Sequence, residues 1–223
     1  MAKEAGATVL RSVCLSGRRY ENFKSEEEWK SFQAKSLKSI QLAEAVVRKQ
    51  QVRLAIENHK DWRAAELAQI IQNLSSEWVG VTLDFGNNVS LLEDPMEVIR
   101  TLAPFAFSTH VKDMGVKAYD KGFLLSEVEL GQGIVDLKEA VDLCKKYNPQ
   151  VTFSLEMITR DPLEVPCLEK SYWVTFDEDK AKDLAKILRL VRDRSFPGDL
   201  PSVKNLDSEG RLAFEEENVV KCL

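Results

Sequence analysis

Four residues stand out by type and spacing: Glu57, Asp84, His110 and Glu156. Each closes, or nearly closes, a short apolar run of β character: residues 52–57, 79–84, 106–112 and 151–156. The intervals are 27, 26 and 46 residues, which reads as one repeat, one repeat, two repeats. In a parallel sheet the C-terminal strand ends share one edge, and α/β active sites form there. A carboxylate in an apolar strand is costly unless it is paired or bound to a cation. Three carboxylates and an imidazole meeting at one point repel each other without a cation. With one they supply an oxygen-rich set holding a single nitrogen, suited to Mn²⁺, Mg²⁺, Co²⁺ or Zn²⁺. The plain alternative is four separate helix caps or local ion pairs, and the common phase of all four speaks against it.

The neighbours of these residues add candidates for substrate binding. His59 lies two residues past Glu57 and Lys112 two past His110, so each shares its partner's face of an extended chain. Lys112 reads as a holder of a carbonyl or phosphate oxygen, or as a partner of Asp113. Arg160, four residues beyond Glu156, is either an anion binder or half of a surface salt bridge. Arg11 is unusual in its apolar run and can point into the mouth of the site. Gly131-Gln-Gly133 reads as a plain turn, with backbone N–H groups facing an anion as the alternative.

Elements that alternate strand and helix must position this set. Strands are expected over residues 7–15, 52–57, 79–84, 106–112, 123–130 and 151–156. A long helix opens at Ser25-Glu-Glu-Glu28, a capping-box pattern, and another at Asp94-Pro95-Met-Glu97. Asp136 and Glu139 open a third, and residues 177–194 form the last regular helix. Residues 1–194 then make one domain and residues 195–223 a tail with a short terminal helix. This rhythm means right-handed βαβ units and a parallel sheet, either open and doubly wound or closed as a (β/α)8 barrel. No G-x-G-x-x-G and no G-x-x-x-x-G-K-[ST] occurs, which weakens the nucleotide-binding open sheets. Six strands fall short of eight, and 194 residues fall short of the roughly 250 of a full barrel. The fold class is therefore α/β, of the (β/α)8 type, but incomplete, with about six βα units.

Composition narrows the function. The 223 residues are 44% hydrophobic and 30% charged, which suits an ordinary globular chain. A net charge of −5 gives no reason to expect a nucleic acid partner, and no apolar run is long enough for a membrane helix. Four scattered cysteines without a C-x-x-C pair read as thiols in a reducing compartment, and the expected location is cytoplasmic. With two histidines, no metal site here rests on a histidine-rich cluster.

The motifs Ile-Glu57-Asn-His59, Leu-Asp84-Phe-Gly-Asn87, Thr-His110-Val-Lys-Asp113, Leu-Gly131-Gln-Gly and Leu-Glu156-Met, in this order, resemble the xylose-isomerase-like TIM-barrel group of sugar phosphate isomerases and epimerases. The resemblance runs over residues 5–162. It implies that Glu57, Asp84, His110 and Glu156 bind one divalent metal ion and that Glu57 and Glu156 also move protons. It also implies two departures: the first two βα units are absent, and Asn87 stands where keto-sugar 3-epimerases of the group carry a histidine.

The leading expectation is a metal-dependent isomerase or epimerase of sugars or polyols, working through an enediolate. A dehydratase or lyase of keto-inositols or 3-keto-glycosides needs the same first step. A nuclease resembling endonuclease IV is disfavoured by the two histidines and the negative charge. An inactive part-barrel acting as a binding module is the remaining class. An open arc of strands leaves unpaired edges, so a homo-oligomer is expected.

Overall fold

The computed structural model describes residues 2–176 and 180–223. Five strands form one parallel sheet: β1 (Val9–Ser12), β2 (Arg53–Glu57), β3 (Val79–Asp84), β4 (Ala106–Val111) and β7 (Thr152–Leu155), in the order β1-β2-β3-β4-β7. The connections carry helices α1 (Arg19–Asn22), α2 (Glu26–Gln50), α3 (Ala64–Leu74), α4 (Pro95–Leu102) and α5 (Leu137–Tyr147). Two further helices follow, α6 (Ala181–Asp193) and α7 (Ser208–Cys222). The helix expected over 177–194 is α6, and its expected start at 177–179 lies outside the described residues.

The helix starts follow their caps. Ser25 accepts a hydrogen bond from Glu28 N at 3.2 Å, and three glutamates fill the first turn of α2, where the helix dipole favours them. Asp94 accepts from Met96 N and Glu97 N ahead of Pro95, and Asp136 accepts from Glu139 N at 2.9 Å. A cap of this kind stabilises its helix by about 1 kcal/mol. β3 is buried on both faces along all six residues, as a central parallel strand must be. The main core lies between this sheet and its helices, with Leu67, Val81, Leu83, Ile99 and Leu102 fully enclosed.

One expected strand is placed differently. Residues 123–130 do not join the parallel sheet. They belong to β6 (Gly122–Val128), which pairs antiparallel with β5 (Asp113–Tyr119) and with β8 (Leu163–Val165) in a separate three-stranded sheet. The parallel sheet thus has five strands, not six. The reason is local: Asp120 and Lys121 make a two-residue hairpin loop, whereas a parallel crossover needs about a dozen residues or more. Gly122 closes that hairpin with φ +150°, and a Cβ there would stand 2.3 Å from the Val165 carbonyl oxygen. A second core of Met114, Val116, Phe123, Leu125, Tyr172, Ile187 and Val191 fills the space between this sheet, the 3-10 turn Lys170–Thr175 and α6.

Register fixes the future site. Glu57 pairs with Thr82, Asp84 with His110, and His110 with Ser154. A bulge between Val81 and Thr82 shifts β4 by one residue; without it Thr109, not His110, would stand beside Asp84. Gly80 permits this, because a Cβ there would come within 2.7 Å of both the Phe105 carbonyl and the Phe107 ring.

Candidate metal centre

β2, β3 and β4 carry Glu57, Asp84 and His110 at their C-terminal ends, and Glu156 follows the last residue of β7. Its backbone N–H still reaches Val111 O at 2.9 Å, so Glu156 continues the ladder. One ligand atom from each of the four lies within 4.8 Å of all the others. Glu57 and Asp84 are fully buried, and the other two are partly open.

Each acid is oriented by specific partners. Asp84 Oδ1 accepts from Gly86 N at 2.9 Å and Asn87 N at 2.7 Å, which leaves Oδ2 for the centre. Asn58, itself fully buried, accepts from Asp84 N at 2.8 Å and donates to Asp84 O at 2.9 Å. Glu57 Oε1 accepts from Asn87 Nδ2 at 3.1 Å, and Oε2 is ion-paired with Arg11. His110 Nδ1 lies 3.6 Å from Glu57 Oε2 and 3.4 Å from Glu156 Oε2.

Lys112 is almost wholly buried. Its ammonium stands 2.8 Å from Asp84 Oδ2 and 2.5 Å from Glu156 Oε2, with Glu127 Oε1 at 3.9 Å. Asp113 is not its partner: that carboxylate accepts from Gly131 N, Gly133 N and Val135 N. The glycine turn therefore does face an anion, but one built into the chain. Arg160 reaches the buried Glu127 at 2.6 Å, and His59 Nδ1 lies 2.9 Å from Leu15 O.

The electrostatics follow from these contacts. Burial pushes the Asp84 carboxyl up; the Lys112 charge pulls it back and Glu156 adds to the rise. Burial is the largest single influence on Glu57 and Glu156 and acts to raise both. His110 together with Arg11 at Glu57, and with Lys112 and Asp84 at Glu156, outweighs it, and both carboxyls end below their ordinary range. His110 is pushed up to about 9 by Glu156 and Glu57 against its burial. Burial acts to lower Lys112, yet Asp84, Glu156 and Glu127 hold it above its ordinary value.

Three carboxylates and an imidazole match a hard or borderline divalent cation. Asp84 Oδ2, His110 Nδ1 and Glu156 Oε2 are buried and lack a hydrogen-bond partner of good geometry among the described residues, although Lys112 lies close to two of them. Buried polar atoms left so call for an ion or an ordered group. The donor set fits one divalent ion.

Beside the centre opens a cavity of about 290 Å³, whose walls include His59, Lys60, Lys112, Glu156 and Arg160. A larger cleft of about 410 Å³ between α2 and α3 is lined by none of the converging acids; its walls include Leu37, Ile40, Trp62, Ile70 and neighbouring carboxamides. Sequence reading missed Asn58, Lys60 and Glu127. A carboxamide directly after a strand-end glutamate and a lysine three residues beyond it were the available signals for the first two. Glu127 became visible when its strand left the parallel sheet.

Fold and centre define a class: a part-barrel of parallel strands with three acids and one histidine gathered on its C-terminal edge. The family model for the xylose isomerase-like TIM barrel matches residues 1–191, and the chain belongs to that family. YihM, an uncharacterized protein of Escherichia coli K12, is 28% identical over 83 residues, 37% of this chain and 26% of its own length. The 3-oxo-isoapionate decarboxylase of Pectobacterium atrosepticum is 30% identical over 87 residues, 38% of this chain and 32% of its own length. The matched stretches thus span between a quarter and a third of those curated relatives. The crystal structure of a xylose isomerase-like TIM barrel protein from Mycobacterium smegmatis in complex with magnesium shares the fold with a TM-score of 0.57 and 18% identity, over 84% of this chain and 64% of that one. The five parallel strands are accordingly part of an incomplete (β/α) barrel. Among the described residues no helix is long and apolar enough to cross a membrane.

Proposed function

We propose that this chain is a divalent-metal-dependent enzyme of sugars or polyols that removes a proton from carbon next to a carbonyl, as an isomerase or epimerase. The observation that carries this reading is the convergence of Glu57, Asp84, His110 and Glu156 within 4.8 Å. A divalent ion held by these four supplies Lewis acidity to a carbonyl and its neighbouring hydroxyl, which acidifies the C–H between them. Glu156 is the residue that both joins the centre and lines the cavity, and it is held ionised, the state a base requires. Glu57, held by Arg11 and Asn87, returns or relays the proton in this reading. Asn87 in turn fixes Glu57, and His59 and Arg160 border the substrate space.

A lyase outcome is the second reading, favoured by one finding: a relative is named 3-oxo-isoapionate decarboxylase. Loss of a β-leaving group begins with the same proton removal, whereas loss of carbon dioxide reaches an enolate by breaking a C–C bond and then needs a proton delivered to carbon. The native metal among Mn²⁺, Mg²⁺, Co²⁺ and Zn²⁺ belongs to this proposal as well, and magnesium in the Mycobacterium smegmatis protein favours an oxygen-preferring ion.

The test is solvent exchange. Metal-loaded chain is incubated with keto-sugars and keto-polyols in D₂O, and ¹H NMR follows loss of the signal next to the carbonyl. Exchange with at least one compound, abolished in Glu156→Gln, supports the reading. Full metal occupancy without exchange in any compound leaves a metal-binding module instead.

A further inference from the structure

The charged side chains around the cavity beside the centre are nearly all paired with one another. Arg18 Nη2 meets Glu21 at 2.6 Å, Arg160 meets Glu127 at 2.6 Å, and Lys112 lies between Asp84 and Glu156. Lys60 is the exception. It lines the same cavity, is 5% exposed, and has no ion-pair or hydrogen-bond partner for its ammonium among the described residues. Asp84 and Glu127 act on it only from beyond ion-pair distance, and a largely buried lysine with no direct counter-charge carries a desolvation cost that an anionic ligand would offset.

The backbone holds Lys60 in place at further cost. Its φ is +64°, a left-handed conformation that L-residues other than Asn and Asp rarely adopt. Strain of this kind persists where surrounding contacts over-determine it, and it clusters at ligand sites. Those contacts are present. Lys60 O accepts from Arg19 N at 3.0 Å, and the next residue, Asp61, accepts from Trp62 N at 2.7 Å, His59 N at 3.3 Å and Leu15 N at 3.2 Å. The loop after β2 is thus pinned on both sides of Lys60, and the cavity is the space its ammonium can reach.

We propose that Lys60 is the recognition group for an oxyanion on the substrate, a carboxylate or a phosphate, so that the ligand of this site is a sugar acid or a sugar phosphate. The inference rests on the reading of the centre as a sugar-handling site and names its substrate class. The anion neutralises Lys60 while the rest of the molecule extends toward Glu156, which lines the same cavity. The cavity of about 290 Å³ stands at the lower end of small-molecule sites, roughly 300–1,000 Å³, so one monosaccharide-sized ligand fills it. The neighbouring carboxylates already have cations of their own: Glu21 has Arg18, Asp84 and Glu156 have Lys112, and Glu127 has Arg160. Lys60 is depressed to about 8 by its burial and by Lys112, which agrees with a cation awaiting its partner.

The test uses metal-free chain, so that its outcome does not depend on the metal reading. Inorganic phosphate, D-gluconate and neutral sorbitol are titrated by calorimetry into wild type, Lys60→Met and Lys60→Arg. The expected result is saturable binding of at least one of the two anions to wild type, not of sorbitol, weakened roughly ten- to hundredfold in Lys60→Met and kept in part by Lys60→Arg. Phosphate alone identifies a sugar phosphate, gluconate alone a sugar acid, and both an oxyanion site without choice between them. Equal binding to wild type and Lys60→Met, or no anion binding to wild type, overturns the proposal. Parallel Mn²⁺ titration of the same variants reports separately on the centre, and Lys60→Gln replaces Lys60→Met should the latter fail to fold.

Discussion

The ammonium of Lys112 lies 2.8 Å from Asp84 Oδ2, the oxygen that Asp84 directs at the candidate metal centre. A metal ion held by the four residues would share the carboxylates of Asp84 and Glu156 with Lys112. In the metal-free chain the lysine supplies positive charge where the ion would otherwise do so.

Removing that lysine leaves buried carboxylates uncompensated. Lys112→Met should lower the stability of the metal-free chain by about 3–5 kcal/mol. Saturating Mn²⁺ should restore more stability to the variant than it adds to wild type, because the ion no longer competes with an internal ammonium. Urea unfolding in EDTA and in Mn²⁺ measures both, and equal metal-induced stabilisation in the two proteins contradicts the shared-carboxylate picture.

Asn58 ties the ends of β2 and β3 together through two hydrogen bonds to the Asp84 backbone and a third to Asn88 Oδ1 at 3.0 Å. Asn58→Ala strands these buried groups at about 1–3 kcal/mol each, tempered by relaxation. Metal affinity should fall about 10–100-fold, the usual consequence of losing a group that orients a ligand. Calorimetric Mn²⁺ titration of the variant checks this, and unchanged affinity shows that Asp84 holds its position without Asn58.

Lys60 makes stability depend on pH in a predictable sense. Its value is depressed from 10.5 to about 8 in the folded chain, so the unfolded chain binds more protons between those pH values. Its contribution is therefore unfavourable below pH 8 and is relieved as pH rises toward 10.5. Lys112, Asp84, Arg160 and Glu127 are the charged groups around it. Lys60→Met should be more stable than wild type by on the order of 3 kcal/mol at neutral pH, and the gap should close in alkaline solution. Unfolding free energies at the two pH values give the answer; a constant gap would falsify the assigned burial of the charge.

β1 and β7 each pair on one side with a parallel neighbour, and among the described residues nothing pairs their other sides. Open edges recruit further strands. The chain is expected to self-associate, and light scattering after size exclusion should give a mass above that of one chain. A monodisperse monomer at high concentration contradicts this.

Much of the fold was legible because it is local. Capping residues Ser25, Asp94 and Asp136 announce their helices, and the strand-end acids recur at the repeat length. What escaped depends on registers and partners distant in sequence. The bulge at Val81 and Thr82, which brings His110 rather than Thr109 opposite Asp84, has no signature beyond Gly80. The antiparallel placement of β6 turned on a two-residue loop that reads equally well as a break between strand and helix. Lys112 was legible as facing the site, but not as occupying it, since that depends on three acids from three other strands.

Calorimetric titration of metal-free chain with Mn²⁺ tests the central claim most directly. One saturable site per chain is expected, weakened at least tenfold by Asp84→Asn and by His110→Ala. Absence of saturable binding, or binding that survives both substitutions unchanged, contradicts a metal centre built from Glu57, Asp84, His110 and Glu156.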